Sequence, residues 1–153
     1  MRGTARSKAL ELLARREHSQ RELHTKLRSK GFAGDEIEGA VTELSEQGLQ
    51  SDDRFLELFV EGRAARGQGP LKIAAELRSR GITGEQVNLV LEPRAERWCD
   101  LACTVRDRRF GASLSGDAKQ RAAEMRFLAQ RGFDGDQIRA ALGRERAAHG
   151  HEQ

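Results

Sequence analysis

Seven cations crowd the last third of the chain: Arg106, Arg108 and Arg109, then Lys119, Arg121, Arg126 and Arg131. Guanidinium and ammonium groups gathered this way suit phosphate oxygens or an acidic protein groove. They converge on one surface if the helices on either side of Gly111–Gly116 pack antiparallel. The same cluster reads equally as a solvated charged face. Aromatic interleaving is poor, because Phe110 and Phe127 are as well explained as core. A stacking platform for single-stranded nucleic acid is therefore not indicated.

Other chemistry-bearing types are scattered. His18 and His24 lie six residues apart near a capped turn, and His149 and His151 stand in a polar tail. All four read as surface or tail histidines. Cys99 and Cys103 are the only cysteines. On one helix their Cβ atoms sit about 5–6 Å apart, too far for a disulfide, which needs about 3.5–4.5 Å. No histidine stands at the spacing that would complete a zinc site, so both read as packing residues. Carboxylates fall on charged helix faces beside Lys or Arg, and Asp52 and Asp53 look like a helix cap and its neighbour. A phosphate-binding glycine loop, a dinucleotide fingerprint and a nucleophile elbow are all missing. The expectation is a protein without catalytic residues, metal or cofactor, one that works by binding.

The elements that must position these residues emerge from self-similarity. Leu27–Gly34, Leu77–Gly84 and Leu128–Gly135 align without gaps, 50 and 51 residues apart. Apolar positions keep corresponding beyond them, as Ile37, Val87 and Ile138, then Val41, Leu91 and Leu142. In each copy a helix ends on a basic residue (Lys30, Arg80 or Arg131) suited to the negative end of the helix dipole. Gly31, Gly81 or Gly132 then takes the left-handed position that a Cβ disfavours. The next residue, Phe32, Ile82 or Phe133, packs back on Leu27, Leu77 or Leu128. Thr83 with Gln86 and Asp134 with Gln137 fit capping boxes, as does Ser19 with Glu22, whereas Ala33 with Glu36 does not. A further helix precedes each pair: residues 4–16 with Ala5, Ala9, Leu12 and Leu13; a segment from Ser51 with Phe55, Leu58 and Phe59; and a longer one with Trp98, Leu101, Ala102 and Val105. Pro70 suits the first position of the helix after Gly67-Gln68-Gly69, and Asp117 with Gln120 opens the helix after the last loop.

The predicted fold is all-α, with three tandem three-helix repeats in an elongated and potentially curved array. The repeats cover residues 1–48, 49–93 and 94–153, the last more basic and ending in a polar tail. Composition agrees: two Pro, no Tyr, and 33% charged against 37% hydrophobic residues favour solvated helices over sheet. One unit is too small to bury its apolar face well alone, so neighbours must share a core. No apolar run resembles a signal peptide or approaches the ~18 residues of a membrane span, which predicts a cytoplasmic protein that does not engage membranes. The net charge of +3 is too mild by itself to announce a nucleic-acid binder.

These residues resemble a known family. Ser19-Gln20-Arg21-Glu22-Leu23 and Leu27–Phe32 carry the likeness in the first copy. Gly48-Leu49, Asp52-Asp53-Arg54-Phe55, Gly67-Gln68-Gly69-Pro70 and Leu77–Ile82 carry it in the second. Phe127-Leu128, Arg131-Gly132-Phe133 and Gln137-Ile138 carry it in the third. Over almost its whole length the chain is similar to the RecX regulatory proteins of bacteria, small modulators of the RecA recombinase. Glu124 departs from the pattern, standing where the other copies have Leu23 and Ile73, so the third unit must pack differently. The resemblance implies a regulator that binds RecA and its filament on single-stranded DNA. It would lodge in the filament groove, limit growth or promote disassembly, and reduce ATP hydrolysis and strand exchange, with no active site of its own. The alternative is a direct DNA-binding helical module without a specific RecA role. Glycine-bearing joints between similar repeats leave both a monomer and a unit-swapped dimer open.

Overall fold

The computed structural model describes residues 3–114 and 116–143. The expected His149 and His151 tail lies outside them. Nine α-helices are present among these residues: α1 (Ala5–Arg15), α2 (Gln20–Ser29), α3 (Gly34–Glu46), α4 (Asp52–Ala65), α5 (Pro70–Ser79), α6 (Gly84–Leu91), α7 (Ala95–Phe110), α8 (Ala118–Gln130) and α9 (Gly135–Leu142). A single 3-10 turn, Glu92–Arg94, joins α6 to α7. The fold is all-helical, three triplets in tandem. No helix among the described residues is long and apolar enough to cross a membrane. The chain divides into two compact units, 1–59 and 60–153, with the division falling inside α4.

The glycine turns are as the sequence dictates. Gly31, Gly81 and Gly132 have φ of 93°, 88° and 98°. The following N–H, from Phe32, Ile82 or Phe133, reaches back to the carbonyl of Leu27, Leu77 or Leu128 at 3.3, 3.1 and 3.1 Å. The glycine N–H donates to the carbonyl of Arg28, Arg78 or Ala129 at 3.0, 3.0 and 3.1 Å. This paired pattern is the Schellman motif, which satisfies carbonyls that the helix end would otherwise leave open. The motif also brings the large apolar residue after glycine onto the preceding leucine, and all six are buried.

In the first unit, α1 and α2 pack on α3 around Ala5, Ala9, Leu12, Leu23, Leu27, Ile37 and Leu44. Thr4 and Ser7 form a capping box at the start of α1. Ala33 gives α3 no side-chain cap. Glu36 in its first turn instead accepts the Ala5 N–H at 2.9 Å, tying α3 to α1. Ser19 caps α2 through the Glu22 N–H at 3.0 Å, while the Glu22 carboxylate is gripped by both terminal nitrogens of Arg16. The α4 cap is Ser51, whose hydroxyl accepts the Arg54 N–H at 3.2 Å, and not Asp52. Asp52 acts between elements, its Oδ1 accepting from the Gln20 N–H and from Gln50 Nε2, both at 2.9 Å.

One histidine expectation is overturned. His18 is buried, 1% exposed, between α1 and α2. Its Nδ1 bonds the Arg16 carbonyl at 3.0 Å, and its Nε2 lies 3.1 Å from Lys26 Nζ. An ammonium can only donate, so the ring accepts at Nε2 and donates at Nδ1, the neutral tautomer. Burial pushes its pKa below the ordinary value, against the opposing pull of the Arg16 carbonyl bond. In sequence His18 is only a polar residue before a cap, and nothing local marks the contacts that enclose it.

In the second unit, Ile73, Leu77, Ile82 and Val87 are buried in the middle repeat. In the last repeat, α7 packs on α9 and α8 around Ala102, Val105, Leu128, Phe133, Ile138 and Ala141. Cys99 and Cys103 form no disulfide. The Cys103 thiol donates to the Ala140 carbonyl at 3.7 Å and packs against that core.

Candidate functional site

The seven candidate cations separate into three groups. Arg106 on α7 leaves the surface altogether, and this corrects the expected basic face. It is 1% exposed, and its Nε donates to Glu124 Oε1 of α8 at 2.6 Å. Its two terminal nitrogens donate to the Gly111 carbonyl at 2.6 Å, the Ser113 carbonyl at 2.8 Å and Asp107 Oδ1 at 3.1 Å. Burial works against its positive charge, but the hydrogen bonds to Glu124 and Asp107 hold its pKa above the usual arginine value. Arg106 therefore stitches α7, α8 and the loop between them. Gln120 joins the network rather than completing a capping box, donating to Glu124 Oε2 at 3.2 Å. Asp117 still caps α8, through the Lys119 N–H at 2.9 Å.

Arg108, Arg109 and Arg131 are brought together. They line a cleft of about 230 Å³ with Arg66, Ala65, Gly67, Val105 and Phe127. Arg109 lies 5.9 Å from the Phe127 ring centre and Arg131 lies 5.1 Å from it. The Phe127 ring also meets Phe110 edge-on at 5.4 Å. A guanidinium over an aromatic face is held electrostatically by the ring and loses part of its water there. Arg131 Nη1 additionally donates to the Arg66 carbonyl at 3.2 Å. No carboxylate lines the cleft, so apart from the Arg131 N–H given to the Arg66 carbonyl its four guanidiniums can offer hydrogen-bond donors to an anion.

Lys119, Arg121 and Arg126 are exposed along α8, outside that lining. Seven residues separate Lys119 from Arg126, which puts them on one face two turns apart; Arg121 points to the opposite side. Arg66 was not singled out in sequence. Its signal was available, since it precedes Gly67 as Lys30, Arg80 and Arg131 precede their glycines, and Gly67 has φ of 83°.

The cleft is built on a backbone joint. The Gly69 N–H donates to the Arg131 carbonyl at 2.7 Å, and the Leu71 N–H to the Gly132 carbonyl at 2.9 Å. The N-terminus of α5 is thus set against the C-terminus of α8, satisfying open groups of both and aligning opposite dipole ends. Only glycines permit this approach: a Cβ on Gly69 would lie 2.6 Å from the Gly132 carbonyl carbon and oxygen. The Gly67–Pro70 and Arg131–Phe133 motifs are two halves of one joint.

Among the described residues no three His, Cys, Asp or Glu side chains gather to hold a metal ion. What the cleft can do is bind anions.

Comparison with known proteins supplies the context. Sequence models of the RecX family match as the first three-helix domain at residues 5–44, the second at 51–91 and the third at 95–142. "Regulatory protein RecX" of Chromohalobacter salexigens is 47% identical over 139 residues, covering 91% of each chain. That of Halorhodospira halophila is 45% identical over 136 residues, covering 89% of this chain and 84% of the relative. The crystal structure of RecX from Lactobacillus salivarius shares the fold, with a TM-score of 0.78 over 90% of this chain and 92% of that one at 20% identity.

Proposed function

The chain belongs to the RecX family of regulatory proteins, and from that premise we propose that it binds RecA and the RecA–single-stranded DNA filament. Binding restrains the filament's ATPase, growth and strand exchange, in the cytoplasm. The observation that supports an anionic binding partner is the cleft of Arg66, Arg108, Arg109 and Arg131 around Phe127, which no carboxylate neutralises. RecA and DNA within its filament both offer carboxylate or phosphate groups to such a site. A protein that binds one filament state better than another shifts the population by its differential affinity, so regulation needs no chemical step.

The test is RecA's DNA-dependent ATPase with this protein titrated in at two salt concentrations. Inhibition below stoichiometric coverage of the DNA supports action on the filament. Binding to bare DNA with a steep salt slope, and no effect on RecA beyond competition for DNA, would instead favour a direct DNA-binding module.

A further inference from the structure

A second group of cations lies in the first unit, on helix α2. Arg21, His24, Thr25 and Arg28 recur at i, i+3, i+4 and i+7 and so share one face of α2. With Ser29 they line a shallow surface depression containing neither a carboxylate nor an apolar side chain. Arg21, Thr25 and Arg28 are exposed, and His24 is half-buried.

The charges on this face are unengaged. Elsewhere in the unit, Arg6 pairs with Glu43 at 3.1 Å, Arg16 with Glu22 at 2.5 Å and Arg54 with Glu17 at 3.0 Å. Among the described residues no carboxylate pairs with Arg21 or Arg28. Thr25 and Ser29 donate their hydroxyls to the Arg21 and Lys26 carbonyls, so neither hydroxyl proton is given outside the helix.

The make-up of the face selects its ligand. Protein interfaces have an apolar or aromatic centre inside a polar rim, and this face has no such centre. Single-strand binders add aromatic rings on which bases stack, and none lies here. Duplex DNA presents about one negative charge per 1.7 Å of axis and is gripped through phosphates by Arg and Lys without base contact. Arg21 and Arg28 lie two turns apart, about 10.5 Å along the helix, a span of a few phosphates.

We propose that the Arg21–His24–Arg28 face of α2 binds the phosphate backbone of duplex nucleic acid irrespective of sequence. The proposal is independent of RecA and of the cleft in the second unit.

The experiment uses the full chain and a fluorescein-labelled duplex of about 30 base pairs, read by anisotropy across a potassium chloride series. The double substitution Arg21→Gln/Arg28→Gln should weaken binding and make the log K against log salt slope shallower by about 1.8, since each phosphate contact contributes roughly 0.9. Arg15→Gln, an exposed cation on α1, should leave both unchanged. Thermal melts of the variants verify that these surface changes leave the fold intact. No duplex binding by the unsubstituted chain, an unaltered slope in the double variant, or tighter binding to oligothymidylate of equal length would each overturn the proposal. So would loss of RecA binding with duplex binding intact, which would assign the face to a protein.

Discussion

Arg106 and Glu124 form a hydrogen-bonded ion pair of 2.6 Å in which both side chains are 1% exposed. Glu124 occupies the place that Leu23 and Ile73 fill in the other two repeats. A charge buried there is tolerated only because its partner and the loop carbonyls of Gly111 and Ser113 complete the hydrogen bonds of the pair. Glu124→Leu alone should therefore cost about 3–5 kcal/mol, because it strands a buried guanidinium. Replacing both, as Arg106→Met/Glu124→Leu, should recover most of that loss in urea denaturation. A double variant no more stable than Glu124→Leu would show that the loop contacts, rather than the pair, hold this region together.

The joint between Gly69 and Gly132 predicts an unequal set of glycine substitutions. Gly48 has φ of 74° with nothing within 4 Å of where a Cβ would stand, so Gly48→Ala reports the left-handed backbone cost alone, about 1–2 kcal/mol. Gly132→Ala adds a collision with the Lys72 backbone nitrogen at 2.6 Å and with its Cβ. It should lower the midpoint of thermal unfolding clearly more than Gly48→Ala. Equal losses at the two sites would mean that the α5–α8 joint yields without cost.

Much of this was legible in the residues themselves. A left-handed glycine followed by a large apolar residue is a local signal, and all three copies of the turn follow it. The capping boxes at Thr83 and Asp134 are equally local and are present. What sequence could not supply was the destination of long side chains. Arg106 and Arg108 look alike in a basic run, yet one is buried and the other exposed, because only Arg106 lies opposite Glu124 across α7 and α8. The anomaly at Glu124 was visible; its partner was not. His18 likewise depends on Lys26 and Gln50 arriving from elsewhere in the fold, the latter donating from Nε2 to the His18 carbonyl at 3.2 Å.

His18 makes stability depend on pH in a definite direction. Burial lowers its pKa in the folded chain, with Arg16, Glu22 and Lys26 as the charged groups around it. Above the ordinary histidine value of about 6.5 the ring is neutral in both states and contributes no slope. As pH falls below that value the unfolded chain takes up the proton first, so stability declines until pH passes the lowered folded value. Urea midpoints measured between about pH 8 and pH 5 should fall on the acid side, and His18→Gln should flatten that fall. The same acid slope in both proteins would place the titrating group elsewhere.

The separation of the basic residues also predicts where regulation resides. Arg108 and Arg109 face the cleft around Phe127 with Arg66 and Arg131, whereas Lys119, Arg121 and Arg126 lie along α8 outside it. Loss of even one charge-assisted hydrogen bond of about 1.5 kcal/mol raises an inhibitory concentration roughly tenfold. Arg108→Gln/Arg109→Gln should therefore weaken inhibition of RecA's ATPase by at least about that factor. Lys119→Gln/Arg121→Gln/Arg126→Gln, which removes more charge, should change it little beyond a general salt-like effect. Both sets alter exposed side chains, so unfolding midpoints should stay near that of the unsubstituted chain. If the triple variant loses inhibition and the double variant keeps it, the working surface is the outer face of α8 and the cleft's guanidiniums serve only to offset the helix C-termini that meet there.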